Sequence, residues 1–468
     1  MKIDVLVAEI GSTTTVINGF NNIGGPCPIF VGQGQAPTSV YEGDVNIGLT
    51  QALESMKESL GVKDLSYDRF LATSSAAGGL KMTVHGLVYD MTVKAAKEAA
   101  LGAGANIHMV TSGRLRRTEI KKIKEINPNI ILLAGGVDYG ERDTAIYNAE
   151  IIADLGLDVP VIYAGNIENQ DEIREIFEEA GMEVFIVDNV YPKIDQLNIA
   201  PTREVIQDVF EKHIIHAAGM EKVRDLVNGS IVPTPGAVML ASQLLYEKIG
   251  DLVTFDVGGA TTDVHSVTEG SEEISRILIS PEPKAKRTVE GDLGVYVNMK
   301  NIVELEGVEN IAKKMKTTTG EVEMLIDRHM PIPKDDRQKE FVEVLTEKAV
   351  CTSLLRHAGQ FRDLYSSAGR KKVAEGKDLT SIQYIICTGG ALTRLPNRVK
   401  IIQNALASGK GNEMYPNEDA RILIDNDYIM ASLGVMSKEY PEAAFGLMEN
   451  SLQLESSCLL SNKVAKEA

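Results

Sequence analysis

A two-lobed α/β protein closing on one ligand is the fold class this 468-residue chain predicts, and three observations predict it. The stretch Leu252 to Val267, LVTFDVGGATTDVHSV, reads as a strand, a glycine turn and a returning strand, with Asp256 at the edge of the turn. The same layout stands at the N-terminus, where Ile3 to Ala8 leads into Glu9, Gly11, Ser12, Thr13, Thr14 and Thr15, and Val16 to Phe20 leaves. Two such hairpins half a chain apart suggest two similar halves facing one ligand. Between Met91 and about Val190, helical stretches alternate with short apolar strands, as in parallel α/β packing.

Bulk properties narrow the function classes. With 44% apolar and 24% charged residues the composition is ordinary for a globular protein, and the length favours two or more domains. A net charge of −18 argues against a broad nucleic-acid surface. The basic runs at Arg114 to Lys124, Lys284 to Arg287 and Arg370 to Lys372 read as solvated faces. Cys27, Cys351, Cys387 and Cys458 form no C-x-x-C pair, which gives zinc or an iron–sulfur cluster no ligand set and suggests free thiols in a reducing compartment. Charge recurs too often for a membrane span, and the N-terminal apolar run is too short for a signal peptide, so a soluble cytoplasmic protein is expected.

Taken in order, the first hairpin is followed by a strand at Pro28 to Gly32, a helix at Asp44 to Leu60 and a strand at Arg69 to Thr73. The block after Met91 alternates helices (Thr92 to Leu101, Glu119 to Ile126, Thr144 to Leu155, Glu172 to Ala180) with strands (Ile107 to Val110, Ile130 to Ala134, Val159 to Tyr163, Val184 to Val187). Gly102, Gly156 and Gly181 stand where helix-ending glycines belong. The block is either an elaboration of the first lobe or an inserted subdomain. Within it, Ala134-Gly135-Gly136-Val137-Asp138 is either a ligand loop or a tight strand-to-helix turn.

A helix is expected from Thr202 to Val227, a break at Pro233 to Gly236, and a helix from Ala237 to Ile249 whose small residues permit close packing. Beyond the second hairpin, Gly291 and Asp292 precede helices at Asn301 to Met315 and Thr319 to His329. Apolar residues from Phe341 to Tyr365 follow a period near 3.6 and predict one long helix stopped by Gly369 and Arg370 to Lys372. A strand at Ile382 to Cys387 ends in Thr388-Gly389-Gly390-Ala391, a flat backbone surface suited to an aromatic base. A strand at Arg421 to Ile424 and a helix at Tyr428 to Lys438 follow, and residues 441–468 read as a weakly patterned tail.

Five pieces in order, EIGSTTT, PTPGAVMLAS, DVGGATTD, CTGGALTRLP and the helix bearing ASLG, resemble the two phosphate, two connecting and adenosine motifs of the actin-like ATPase superfamily, a ribonuclease H-like fold. More narrowly, MKIDVLVAEIGSTTT, LLAGGVD and RTVEGDLG resemble the accessory-protein family encoded beside adenosylcobalamin-dependent glutamate mutase and related aminomutases, over about residues 1–440. The resemblance implies a first lobe at 1–236 that includes the block at about 91–190, a second at 237–427, and a returning helix at 428–440. It also implies an ATP-using factor that restores the mutase, its lobes moving to release damaged cofactor, as in the diol dehydratase reactivases. The partners implied are mutase subunits, with neither nucleic acid nor membrane, and homo-oligomerisation is left open.

In that frame the ATP phosphates meet the backbone of Gly11, Ser12, Thr13 and Thr14 from one lobe, and of Gly258, Gly259, Ala260 and Thr261 from the other. Glu9 and Asp256 hold Mg²⁺ through water or orient the attacking water, while Gly389, Gly390 and Ala391 support the adenosine. The superfamily usually has Asp where this chain has Glu9, and a carboxylate displaced by about an ångström points to slow turnover. No direct cobalamin site is recognised: Asp263-Val264-His265 reaches Thr268 where the base-off motif needs glycine, so His265 reads as structural. Two other classes stay open. A small-molecule kinase would need Asp138 or Asp292 over an acceptor pocket, and an assembly factor would bind nucleotide as a staple without turnover. The activator of 2-hydroxyacyl-CoA dehydratases is disfavoured by its missing bridging cysteines.

Overall fold

The computed structural model describes residues 1–39, 44–75, 80–213, 223–366 and 369–454. Strands β1 (Lys2–Ile10), β2 (Thr14–Asn21), β3 (Ile29–Pro37) and β4 (Ser66–Ser74) belong to one sheet. The chain then builds a second sheet from β5 (Leu80–Gly86), β6 (Ala105–Ser112), β7 (Ile130–Leu133), β8 (Val161–Tyr163) and β9 (Val184–Ile186). It returns to the first sheet with β10 (Ile231–Pro233), giving the order β10-β4-β1-β2-β3. β1, β2 and β3 form an antiparallel meander, whereas β4 lies parallel to β1 and β10 parallel to β4.

The same topology recurs downstream. Strands β11 (Leu252–Val257), β12 (Thr262–Val267) and β13 (Ala285–Glu290) form the meander, and, past a hairpin of β14 (Gln360–Ser366) and β15 (Gly369–Glu375), β16 (Tyr384–Thr388) and β17 (Arg421–Ile424) add in parallel. The order β13-β12-β11-β16-β17 matches β3-β2-β1-β4-β10 strand for strand. This repeated five-stranded arrangement is the two-lobed, actin-like architecture expected.

Sheet burial explains the strand composition. Every residue of β1 from Val5 to Ile10 is buried, which requires a nearly continuous apolar run rather than alternation. Between the lobes, helices Thr234–Ile249 and Met430–Met436 cross tightly: a Cβ on Gly434 would lie 1.8 Å from the Ala237 carbonyl oxygen. The second helix is buried at every position, so small residues are what the crossing demands.

The inserted sheet is wholly parallel, in the order β6-β5-β7-β8-β9. Its β5 escapes the sequence reading because Thr83 and His85 look like surface residues. Both are buried, with the imidazole held between Thr111 Oγ1 (2.8 Å) and Thr83 Oγ1 (3.0 Å). The left-handed glycine after helix Lys94–Gly102 is Gly104 (φ 99°), whereas Gly156 and Gly181 (φ 64° and 70°) do end their helices as expected.

Three further expectations change. The long helix runs only from Asp336 to His357; Gly359 pairs its backbone with Lys377 and Met414, and Phe361 and Tyr365 lie in β14. The alternating run QFRDLYS fits a strand as well as a helix, and pairing with β15 decides between them. The expected helix from Thr202 to Val227 is described as Ala200–His213 and Val223–Leu226, the remainder lying outside the described residues. Residues Pro441–Ser451 form a helix whose Ala444 and Leu447 are buried in the inter-lobe core, while 455–468 lie outside the described residues. Cys351 and Cys387 are free thiols as expected, but Cys27 is disulfide-bonded. Among the described residues no helix is long and apolar enough to cross a membrane.

Candidate functional site

A cleft of about 670 Å³ lies between the two lobes, and both hairpin turns line it. Each turn is closed in the same way: Gly11 N donates to Thr14 O (3.0 Å), and Gly258 N donates to Thr261 O (2.9 Å). The turns meet face to face, since a Cβ on Gly259 would lie 3.4 Å from Thr13 Cγ2 and Oγ1. Their carbonyls are tied back from the cleft. Thr38 Oγ1 donates to Gly11 O, and the 295–298 segment donates to Gly258, Gly259 and Ala260, with Gly294 pressed against the Ala260 carbonyl.

The consequence is a set of unused donors. The backbone N–H groups of Ser12, Thr13, Gly259, Ala260 and Thr261 make no hydrogen bond among the described residues, and all five residues line the cleft. Two facing arrays of free N–H groups form an anion nest contributed by both lobes. The free donors sit one residue later than the first glycine of each turn, because Gly11 and Gly258 spend theirs on closing it.

Glu9 and Asp256 occupy equivalent places just before the two turns, and both line the cleft. Glu9 is 6% exposed, and its Oε1 accepts from Ser432 Oγ (2.5 Å), Ser432 N (3.0 Å) and Asn18 Nδ2 (3.2 Å). The longer side chain therefore reaches the helix Met430–Met436. Burial, with repulsion from Asp425, pushes its carboxyl up to about 7 despite those bonds. Asp256 has no ion pair or side-chain hydrogen bond among the described residues. Burial, then repulsion from Asp263 and Glu9, raises it to about 7. An acid held at this cost beside an anion nest suits a hydrated divalent cation, which would restore its charge.

Gly390 and Ala391 line the cleft at the start of helix Gly389–Arg394, while Gly389 sits behind Asp256. With φ at 83° and a Cβ position 2.5 Å from Asp256 Oδ1, position 389 tolerates only glycine. Pro331, Ile332, Pro333, Val342 and Leu395 are among the apolar residues that line the cleft. His265 is fully buried, with neither ring nitrogen hydrogen-bonded among the described residues, so it faces the interior and is held neutral by burial. Neither carboxylate considered for a kinase is free over the cleft: Asp292 pairs with Arg356 (2.9 Å), and Asp138 accepts from Ile167 N and Asn189 Nδ2 in the inserted block.

Sequence reasoning missed three groups. Asp425 is buried at the end of β17, accepting from Thr388 Oγ1, Ile429 N, Met430 N and Ser451 Oγ, and so anchors the crossing helix. Tyr428 lines the cleft with a left-handed backbone (φ 54°). Arg287 is the third. It donates to Asp263 Oδ1 through Nε (2.9 Å) and Nη2 (2.6 Å) and, through Nη1, to the carbonyls of Leu101 (3.0 Å) and Ala105 (3.2 Å). Thr261 Oγ1 donates to Asp263 Oδ2 (2.9 Å), so one chain of contacts runs from the second turn to the inserted block. The RTVEGDLG stretch signals it only as a motif.

Comparison with known proteins agrees in family. A family model described as MutL protein matches residues 5–452. The curated Protein MutL of Clostridium tetanomorphum is 37% identical over 427 residues, covering 88% of this chain and 92% of the relative. Among solved structures, a nucleotide-free acetone carboxylase aligns over 93% of this chain and 70% of its own at 12% identity and a TM-score of 0.41. A diol dehydratase-reactivating factor in nucleotide-free form aligns over 94% and 100% at 11% identity and a TM-score of 0.38.

Proposed function

The chain belongs to the MutL protein family, and we propose that it is an ATP-binding, slowly hydrolysing accessory factor that reactivates an adenosylcobalamin-dependent mutase, such as glutamate mutase or a related aminomutase. The observation that carries the ATP reading is the pair of facing turns, with five unused N–H donors from two lobes beside two carboxylates. In this reading Ser12, Thr13, Gly259, Ala260 and Thr261 hold the β- and γ-phosphates, and Gly11, Thr14 and Gly258 keep the turns in shape. Asp256 is the principal Mg²⁺ residue through water, and Glu9 the lesser one, because its Oε1 is already held by Ser432 and Asn18. Mg²⁺ supplies charge neutralisation at the phosphates. The base lies against Gly390 and Ala391, with Leu395 among the apolar lining residues beside them.

A nucleotide bound this way bridges the lobes, and its loss lets them swing about the crossing of helices Thr234–Ile249 and Met430–Met436. That swing is the motion that would expel a damaged cofactor from the partner. The role of the partner's cofactor rests on family resemblance, and no residue of this chain is assigned to cobalamin. The test is direct. Candidate mutases are inactivated by turnover, then given this protein, ATP, Mg²⁺ and fresh adenosylcobalamin, and return of activity only with ATP is expected. No recovery with any aminomutase would sink the proposal.

The hold of Ser432 and Asn18 on Glu9 Oε1 favours one second reading, a nucleotide-stapled assembly factor without turnover. An Asp256→Ala variant that rescues a mutase as well as the wild type would select it.

A further inference from the structure

The inserted sheet is left over once the cleft is explained, and its surface is not ordinary. Five large apolar side chains stand exposed in the loops that leave adjacent strands at its C-terminal edge: Val88 and Tyr89 after β5, Tyr139 after β7, Ile167 after β8 and Ile194 after β9. Tyr139 (78%) and Ile194 (71%) are the most exposed large apolar residues among those described. Four neighbouring strands place these loops within about 15 Å of one another.

The loops are also locked together. Asp138 N donates to Pro192 O (3.0 Å), Ile167 N and Asn189 Nδ2 donate to Asp138 Oδ1, and Tyr139 N donates to Asn166 Oδ1 (3.1 Å). Both tyrosines are presented by unusual backbone. Tyr139 has φ 61°, a conformation that costs a non-glycine residue energy, and Tyr89 opens a π-helical turn, Tyr89–Val93. A sheet edge that needed only to be soluble would carry neither the strain nor the exposed rings.

We propose that this edge docks a separate protein that presents an apolar face ringed by lysine and arginine. Charge selects that occupant. The four loop segments 87–93, 134–144, 164–172 and 187–196 hold nine Asp or Glu residues against Arg142 and Lys193, while the loop leaving β6 at the same edge, 113–117, presents no exposed large apolar residue and adds Arg114, Arg116 and Arg117, which leaves the rim net acidic. Such a rim repels nucleic acid and phospholipid headgroups. It equally repels a second copy of this chain, whose same edge would bring acid against acid on a chain of net charge −18. The two most exposed side chains stand outward as anchors, the form that protein hot spots take, rather than lining a small-molecule cavity. The partner need not be a mutase for this surface to serve it, so the inference goes beyond the function proposed above.

The test places a photo-crosslinking p-benzoylphenylalanine at Ile167 of the full-length chain in its native cells, with Val399, exposed on the second lobe, as the control position. The expected result is an adduct with a single other protein, joined through a peptide with an apolar residue flanked by Lys or Arg, and absent at Val399. Its yield falls about ten-fold in a Tyr89→Ser/Tyr139→Gly/Ile194→Ser background that keeps wild-type ATP affinity and thermal midpoint. An unchanged yield in that background, an equal adduct at Val399, an adduct between two copies of this chain or with nucleic acid, or no adduct overturns the proposal. Whether the captured protein is a cobalamin mutase separately judges the reading in the preceding section.

Discussion

Replacing Asp256 by Asn should make the nucleotide-free protein more stable at pH 8 while abolishing its response to Mg²⁺–ATP. The Asp256 carboxyl is raised from 3.8 to about 7 by burial and by Asp263 and Glu9. A rise of that size corresponds to about 4 kcal/mol, and because the group opens on a wet cleft we take about half, roughly 2 kcal/mol. The sign follows from proton binding. Between about pH 4 and 7 the folded chain holds a proton that the unfolded chain has lost, so this group's contribution to stability declines as pH rises through that window and is lowest above 7. Asparagine carries no charge, so the variant's gain should be about 2 kcal/mol at pH 8 and shrink toward zero near pH 4. Urea unfolding at several pH values measures it. In the wild type, Mg²⁺–ATP at a hundred times its dissociation constant should add about 2.7 kcal/mol, and the variant should show none of this. An Asp256→Asn variant no more stable than wild type at pH 8 would refute the claim that the cleft floor is electrostatically strained.

Other substitutions probe the frame around the cleft. Gly434→Ala drives a methyl into the Ala237 carbonyl, a backbone atom that cannot swing aside, and should cost about 3 kcal/mol in urea unfolding; a loss below about 1 kcal/mol would argue against so close a crossing. Arg287→Ala leaves Asp263 buried and unpaired, for a loss of about 3–5 kcal/mol. Adding Asp263→Asn should recover part of it, and strictly additive losses would deny the pair its coupling. Gly389→Ala should weaken ATP binding at least about ten-fold by calorimetry through its clash with Asp256. Gly390→Ala, whose methyl meets no described atom within 4 Å but would stand under the base, should weaken ATP binding without destabilising the nucleotide-free chain, and an equal loss of stability in the two variants would locate the constraint elsewhere.

Legibility followed the range of the interactions. The two turns are local objects: a strand, an acid and a glycine closing on the third residue along are visible in seven or eight letters, and both hairpins stand where they were expected. Helix–strand alternation likewise exposed most of the inserted block. What stayed hidden depends on residues distant in the chain. Asp425 matters because four donors from three segments converge on it, and Arg287 because it grips Leu101 and Ala105 nearly two hundred positions away. β5 stayed hidden because buried Thr83 and His85 satisfy one another, and β14 because seven residues fit either period. The use of the extra methylene in Glu9 was invisible without Ser432 opposite it.

The contact between Arg287 and the inserted block has an evolutionary consequence. On the block's side the guanidinium holds main-chain carbonyls, groups that every residue type supplies alike. Relatives could therefore vary the residue types at 101 and 105 without loosening this grip, whereas the pairing of Lys94 with Glu282 (2.6 Å) ties the same block to the second lobe through a side chain. A joint of that kind tolerates drift where it grips main chain and resists it where it grips a charge.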